Sequence, residues 1–223
     1  MVTSTTRKAN QLNQIREDLW QTRLDTPFPG LTTHSYLWRG PKGNVLFYSP
    51  ATDADFDAIQ ALGGVRAQYL SHLDEAGPNL ARIAERFGSR LHAPAAELAD
   101  ITRHAPVDVP IEDVRRVDDT GVEVLPTPGH SPGSTSYLVT GTDGARYLFT
   151  GDTLYRTGDG AWAAGLLPPR GDAAALRDSV TLLASVQPDV VLSSAFGGHS
   201  GLEIVDARRW ADIVGEALAS LPS

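Results

Sequence analysis

The sequence predicts one α/β domain with its helices outside and its sheets inside. Strand-like runs alternate with amphipathic stretches along all 223 residues, and no repeat, low-complexity tract or linker interrupts them. Hydrophobic residues make up 41% and charged residues 21%, ordinary proportions for a globular chain that buries a substantial core. Polar clusters follow four of the expected strands directly, the place where loops mount chemistry on a rigid sheet.

Taken in order, Leu12, Ile15 and Leu19 fall at helical spacing and predict a short helix near residues 10–20. That helix belongs to an expected N-terminal extension (1–30), either packed on the domain or partly mobile. Thr33–Trp38 and Val45–Tyr48 flank turn chemistry at Gly40–Asn44 and read as a hairpin. Asp53 can cap a helix carrying Phe56, Ile59 and Leu62, stopped by Gly63 and Gly64. Arg66–Ser71 is then a strand, with His72-Leu-Asp-Glu75 just past its end. A second helix, Pro78 to Phe87, sets Leu80, Ile83, Ala84 and Phe87 on one face and ends at Gly88. Ser89–Ala93 is another strand, after which Pro94 opens a short helix at a position proline tolerates. Residues 105–126 read as short strands around a turn at Asp118–Gly121. The chain closes with a helix from Asp172 to Ser185, a buried strand at Asp189–Ser193, and a helix from Asp206 to Ser220 with Trp210, Val214 and Leu218 inward.

The most informative stretch lies before those last elements. Residues 134–140 and 145–150 read as two strands joined by the turn Gly141-Thr-Asp-Gly144. A chain that goes out and back over nearly equal lengths leaves its two flanks side by side. His130 and Asp152 occupy those flanks, so an imidazole and a carboxylate meet at one sheet edge. Pro128, Gly129, Pro132 and Gly133 stiffen the loop and strip bulk from around the histidine, as a fixed ligand site requires. Either half alone reads equally as a turn or a helix cap; together they specify a shared polar site.

Composition narrows the chemistry. The absence of cysteine removes disulfides, thiolate nucleophiles and Cys-ligated zinc, leaving His, Asp and Glu for any transition-metal site. A net charge of −8, with only Lys8 and Lys42 as lysines, disfavours an extended nucleic-acid interface. No run approaches a membrane span, and residues 1–18 are polar with no apolar signal-peptide core, so cytoplasmic residence is expected. The expected partner is a small-molecule substrate; a homo-oligomer is left open.

The motifs Thr127-Pro-Gly-His-Ser-Pro-Gly-Ser134 and Leu148-Phe-Thr-Gly-Asp-Thr-Leu154, in this order of elements, resemble the metallo-β-lactamase-fold hydrolases from about residue 30 onward. The resemblance implies a four-layer αββα sandwich with its metals at one end of the paired sheets. The departures are specific. Where the family carries H-x-H-x-D-H, this chain reads Leu70-Ser-His-Leu-Asp-Glu75, so Leu70 and Glu75 replace two histidines while His72 and Asp74 are kept. The last ligand of the family would be His199, in an altered Phe196-Gly-Gly-His-Ser-Gly201 context.

Carried over residue by residue, the resemblance implies His72, His130 and a bridging Asp152 for one ion, and Asp74, Asp152 and His199, with an oxygen from Glu75, for a second. Zinc leads from the family, and the richer oxygen set keeps iron and manganese open. Independently, three carboxylates converging from Asp74, Glu75 and Asp152 would repel one another and call for a cation. His34, in an alternating strand, reads as structural, while His92 and His104 match no motif position and read as bystanders.

The function expected is a metal-dependent hydrolase of a small ester, thioester or lactone, acting through a metal-activated water that Asp74 positions or deprotonates. Two alternatives stand beside it. Leu70 suits a catalytically impaired member serving as a binding or regulatory protein. The set of His72, His130 and Asp152 also suits a mononuclear iron oxygenase-like enzyme.

Overall fold

The computed structural model describes residues 12–198 and 200–222. The chain starts with strands β1 (Asn13–Arg16), β2 (Leu19–Gln21), β3 (Asp25–Phe28) and β4 (Leu31–Thr33). The hairpin β5 (Tyr36–Gly40) and β6 (Gly43–Phe47) follows, then helix α1 (Phe56–Ala61), β7 (Ala67–Tyr69), α2 (Asn79–Phe87), β8 (Arg90–Pro94) and α3 (Leu98–Ile101). Short strands β9 (Val109–Ile111), β10 (Arg116–Val117) and β11 (Glu123–Pro126) lead into the hairpin β12 (Thr135–Thr140) and β13 (Arg146–Gly151). After β14 (Leu154–Arg156) and β15 (Trp162–Ala164) come α4 (Ala173–Ala184), β16 (Val190–Ser193), β17 (Ala195–Phe196), β18 (Leu202–Ile204) and α5 (Ala207–Ser220).

Two large sheets face each other, ordered β1-β2-β5-β6-β7-β8-β9 and β10-β11-β12-β13-β16-β18. Alternation along each strand decides which layer a side chain joins. Tyr36, Trp38, Val45, Phe47 and Tyr69 of the first sheet meet Val124, Tyr137, Val139, Tyr147, Phe149, Val190 and Leu192 of the second in one buried cluster. Phe47 and Phe149 stack across that interface with ring centroids 3.9 Å apart, an arrangement worth about 1 kcal/mol beyond burial alone.

The intervening residues point the other way. Leu37 and Leu46 pack outward with Phe56, Ile59 and Ile83 of α1 and α2. Leu138, Leu148 and Val191 pack outward against Leu176, Val180 and Leu183 of α4 and Trp210, Ile213 and Val214 of α5. The result is the four-layer αββα sandwich. Its long helices begin where the sequence sets acceptors: Asp172 takes the backbone N–H groups of Ala174 and Ala175, and Asp206 that of Arg209. Helix α2 ends at Gly88, whose φ of 64° suits glycine.

Among the described residues the N-terminal helix expected near residues 10–20 is not formed. In its place stands the antiparallel pair β1–β2, with Gln14 opposite Trp20 and Arg16 opposite Leu19. The apparent helical period arises because Ile15 and Leu19, on facing strands, pack on the same inter-sheet cluster. From Asn13 onward the expected extension is therefore built into the sheets themselves, with β3 and β4 forming one edge of a third sheet ordered β15-β14-β17-β4-β3. Strands β6, β7, β8 and β9 run parallel, as do β13 and β16, so β7 and β13 deliver their following loops to strand C-terminal ends. Among the described residues no helix is long and apolar enough to cross a membrane.

Candidate metal centre

The two sheets bring their loops together where β7 and β13 end, and the closeness depends on one glycine. Gly151, at φ 56°, lies so near Ser71 that a Cβ there would fall 2.3 Å from the Ser71 Oγ. With that gap closed, His72 at the end of β7 sits beside Asp152 at the end of β13, Nε2 to Oδ2 3.6 Å. His130, from the loop before β12, completes the group: its Nε2 is 3.9 Å from Asp152 Oδ2 and 3.8 Å from Asp74 Oδ2. The two imidazole rings stand edge to face, centroids 4.7 Å apart. Ligand atoms of His72, Asp74 and His130 all lie within 4.8 Å of one another, a spacing one cation can bridge.

Each converging group is oriented by its remote side. His130 Nδ1 is 2.7 Å from the Gly165 carbonyl oxygen, so Nδ1 donates and Nε2 is left to accept. That Nε2 is buried and has no hydrogen-bond partner. A buried acceptor with nothing to accept from is costly unless a cation or another donor completes it. His72 Nδ1 meets the Ser71 hydroxyl at 2.9 Å, and that hydroxyl in turn donates to Glu75. Asp152 receives the Ser194 hydroxyl on Oδ1, leaving Oδ2 for the centre.

The charge balance is tuned to match. Burial pushes the His72 imidazole down, but Asp152, then Glu75 and Asp74, outweigh it and raise its pKa to about 9. The pocket therefore favours positive charge on that ring's side. Asp74 is held below the usual carboxylate range, first by His130, against burial, and further by His72 and Arg170. The donor set of two imidazole nitrogens and carboxylate oxygens fits a divalent transition ion.

The residues read from sequence thus separate. His72, Asp74, His130 and Asp152 converge. Glu75 does not join them: its Oε2 accepts the Ser71 backbone N–H at 2.8 Å and its Oε1 lies 3.4 Å from His72 Nδ1, the ring atom remote from the centre. The expected convergence of three carboxylates therefore reduces to Asp74 and Asp152. Leu70 is fully buried among Leu80, Leu91, Ala93, Ile101 and Ala105, on the helix side of its sheet. His199 lies outside the described residues. His34 binds Gln21 and the Arg23 carbonyl and stacks on Phe196, while His92 stacks on Tyr69.

Four groups at the centre escaped the sequence reading as site residues. Ser71 and Ser194 carry no motif of their own, though Ser194 directly follows β16 and Ser71 lies two residues past the end of β7. Gly165 acts through its carbonyl, which side-chain reasoning does not register. Arg170 follows Asp152 by a segment suited to lining a site, yet its partner, Asp74, lies 96 residues away in sequence.

A family model described as the metallo-beta-lactamase superfamily matches residues 56–195. A hydroxyacylglutathione hydrolase of Mesorhizobium japonicum is 38% identical over 108 residues, 46% of this chain and 40% of that protein. The chain therefore spans about two fifths of the length of this relative. Among solved structures, a metallo-beta-lactamase from Pontibacter korlensis superposes with a TM-score of 0.68 at 16% identity, covering 92% of this chain and 97% of that one. A HARLDQ-motif mutant of the metallo-beta-lactamase from Cronobacter sakazakii gives 0.64 at 21% identity, covering 83% and 80%. At such identities the structural likeness is one of fold.

Proposed function

The chain belongs to the metallo-beta-lactamase superfamily, and from that premise we propose that it hydrolyses small thioesters with a divalent ion held by His72, His130 and Asp152. The observation that carries this reading is the buried, unpartnered Nε2 of His130, aimed beside Asp152 Oδ2 and Asp74 Oδ2. The thioester is supported by the likeness to a hydroxyacylglutathione hydrolase over 108 residues of the chain.

When bound, a divalent ion there supplies Lewis acidity and lowers the pKa of a water toward neutrality. The chain's own residues do the rest. The Gly165 carbonyl and the Ser71 hydroxyl fix both rings with Nε2 inward. Ser194 fixes the rotation of the Asp152 carboxylate. Asp74, held below the usual carboxylate range and paired with Arg170, is a weak base and serves to orient the attacking water rather than to strip it. Water adds at the thioester carbonyl, the C–S bond breaks, and a carboxylic acid and a thiol leave.

Thiol release from a hydroxyacylglutathione, followed with a thiol-reactive dye, tests the reading directly, because a chain without cysteine adds no background. Hydrolysis that disappears with chelation and in Asp152→Ala, by on the order of 10³-fold, is expected. Metal content and turnover unchanged by Asp152→Ala would remove the centre from the mechanism. The two-His-one-carboxylate set also favours a second reading, a mononuclear iron enzyme, and oxygen consumption by iron-loaded protein with a thiol would select it.

A further inference from the structure

We infer that Arg170 takes the place of a second cation, so that this centre is built to hold one metal ion. The inference rests on the metal-centre reading above and concerns how many ions that centre accepts.

The second ion of a two-metal arrangement would draw on Asp74 and Asp152, with an oxygen from Glu75 and with His199, which lies outside the described residues. Glu75 is committed elsewhere, its two oxygens bound to the backbone N–H and the hydroxyl of Ser71. Asp74 is engaged as well. Its Oδ2 faces His130, and its Oδ1 accepts the Arg170 Nη1 at 3.0 Å. Thus one of the oxygens a second ion would use already faces a permanent positive charge, because a guanidinium does not deprotonate in a protein.

Arg170 is not an arbitrary surface arginine that drifts onto a carboxylate. The loop that carries it is tied to the ligands at both ends. At its start, Gly165 N donates to the Asp152 carbonyl at 3.1 Å while the Gly165 carbonyl accepts from His130. At its end, Asp172 N donates to the Gly129 carbonyl at 2.8 Å, next to His130. Gly171 N closes the turn on Leu167 O at 2.8 Å. The segment that sets the His130 tautomer therefore also delivers the guanidinium to Asp74.

The electrostatic consequence can be sized. An ion ligated by Asp74 would sit within about 5 Å of the guanidinium. Repulsion between a divalent and a unit charge at that separation weakens binding about tenfold even under water-like screening, and more at lower dielectric. The first position, defined by His72, His130 and Asp152 Oδ2, uses none of the atoms that Arg170 contacts, since its guanidinium meets Asp74 Oδ1. One guanidinium thus balances Asp74 without occupying the ion position that the imidazoles define.

The test is zinc stoichiometry of the full chain, stripped with chelator and titrated against a competing indicator, with elemental analysis as a check. Wild type is expected to bind one ion tightly. Arg170→Ala should bind a second at least tenfold more tightly than wild type does, and Arg170→Glu more tightly still. Arg170→Lys should stay close to wild type, because it keeps the charge. The side chain is 52% exposed, so these variants should melt with the wild type. Two tight ions in wild type, or one ion in wild type and Arg170→Ala alike with no gain in second-ion affinity, would overturn the role of Arg170 and leave the metal centre standing. No ion in wild type would instead strike the metal-centre reading itself.

Discussion

His72 and His130 reach the centre from opposite sheets and are held by different means. His130 is tied by backbone: its Nδ1 donates to the Gly165 carbonyl, and the loop around it is pinned to α4, where a Cβ on Gly129 would fall 2.3 Å from the Leu176 nitrogen. His72 is tied by side chains, through Ser71 to Glu75. On the His130 side the family motif is intact and its support is the main chain. On the His72 side two histidines of the motif are gone, and the residues in their places have become scaffold. Leu70 fills the core beneath α2 and α3, and Glu75 braces the serine that aims His72. A position that ceases to ligate a metal can thus still govern the one that does, by moving one step behind it.

The backbone-held half should be the harder to repair. A Cβ on Gly165 would lie 2.2 Å from the Asp152 carbonyl oxygen and 3.2 Å from His130 Nδ1. Backbone cannot yield there as a flexible side chain would. Gly165→Ala is expected to cost about 3 kcal/mol of stability and at least about a hundredfold in metal affinity. Chemical denaturation and metal titration of the same preparation give both numbers. A variant with wild-type metal affinity would show that the Gly165 carbonyl does not orient the ring.

The side-chain braces should fail more gently. Ser71→Ala and Ser194→Ala each remove one support behind a ligand, His72 in one case and the Asp152 carboxylate in the other. Each is expected to lower metal affinity by about 10–100-fold while leaving the melting temperature within a few degrees. Equal affinity in either serine variant and wild type would break the comparison on that side. Glu75→Gln sharpens it further. An amide has one acceptor oxygen for the two Ser71 donors that Glu75 takes, so one of these bonds is lost and the affinity should fall by no more than about tenfold, whereas a direct ligand would lose much more.

How much of this could be read from the chain follows the same division. The hairpin carrying His130 and Asp152 was legible because turn chemistry and equal strand lengths fix where its ends meet. The layers were legible because alternation along β5, β6, β12 and β13 sorts each side chain to the core or the helices. The β1–β2 pair was not, since Ile15 and Leu19 match a helical period by the accident of packing on one cluster from neighbouring strands joined by a tight turn. Glu75 and Arg170 were not, because sequence places a carboxylate near a centre without telling which way it turns. Direction here is decided by Ser71 and by Asp74, partners whose availability only the assembled fold reveals.

The smallest effect concerns a histidine that lacks such partners. His72 and His92 follow or lie on adjacent parallel strands and are each about 2% exposed, yet their protonation diverges. Around His72 the carboxylates win. Around His92, which stacks on Tyr69 at 4.1 Å and leaves Nε2 buried without a partner, burial wins over the pull of Asp118 and lowers the pKa to about 4. In the unfolded chain that imidazole titrates near 6.5. Between those values the unfolded state binds a proton that the fold does not, so stability is fully present above about pH 6.5 and falls as the pH drops toward 4. The expected loss is about 1 kcal/mol between pH 6 and pH 5 from this one group. His92→Phe removes the titration while keeping a ring against Tyr69, and its unfolding free energy should lose that part of the pH slope. An unchanged slope would mean that His92 is protonated in the fold, and that carboxylates reach farther across this sheet than the contrast with His72 allows.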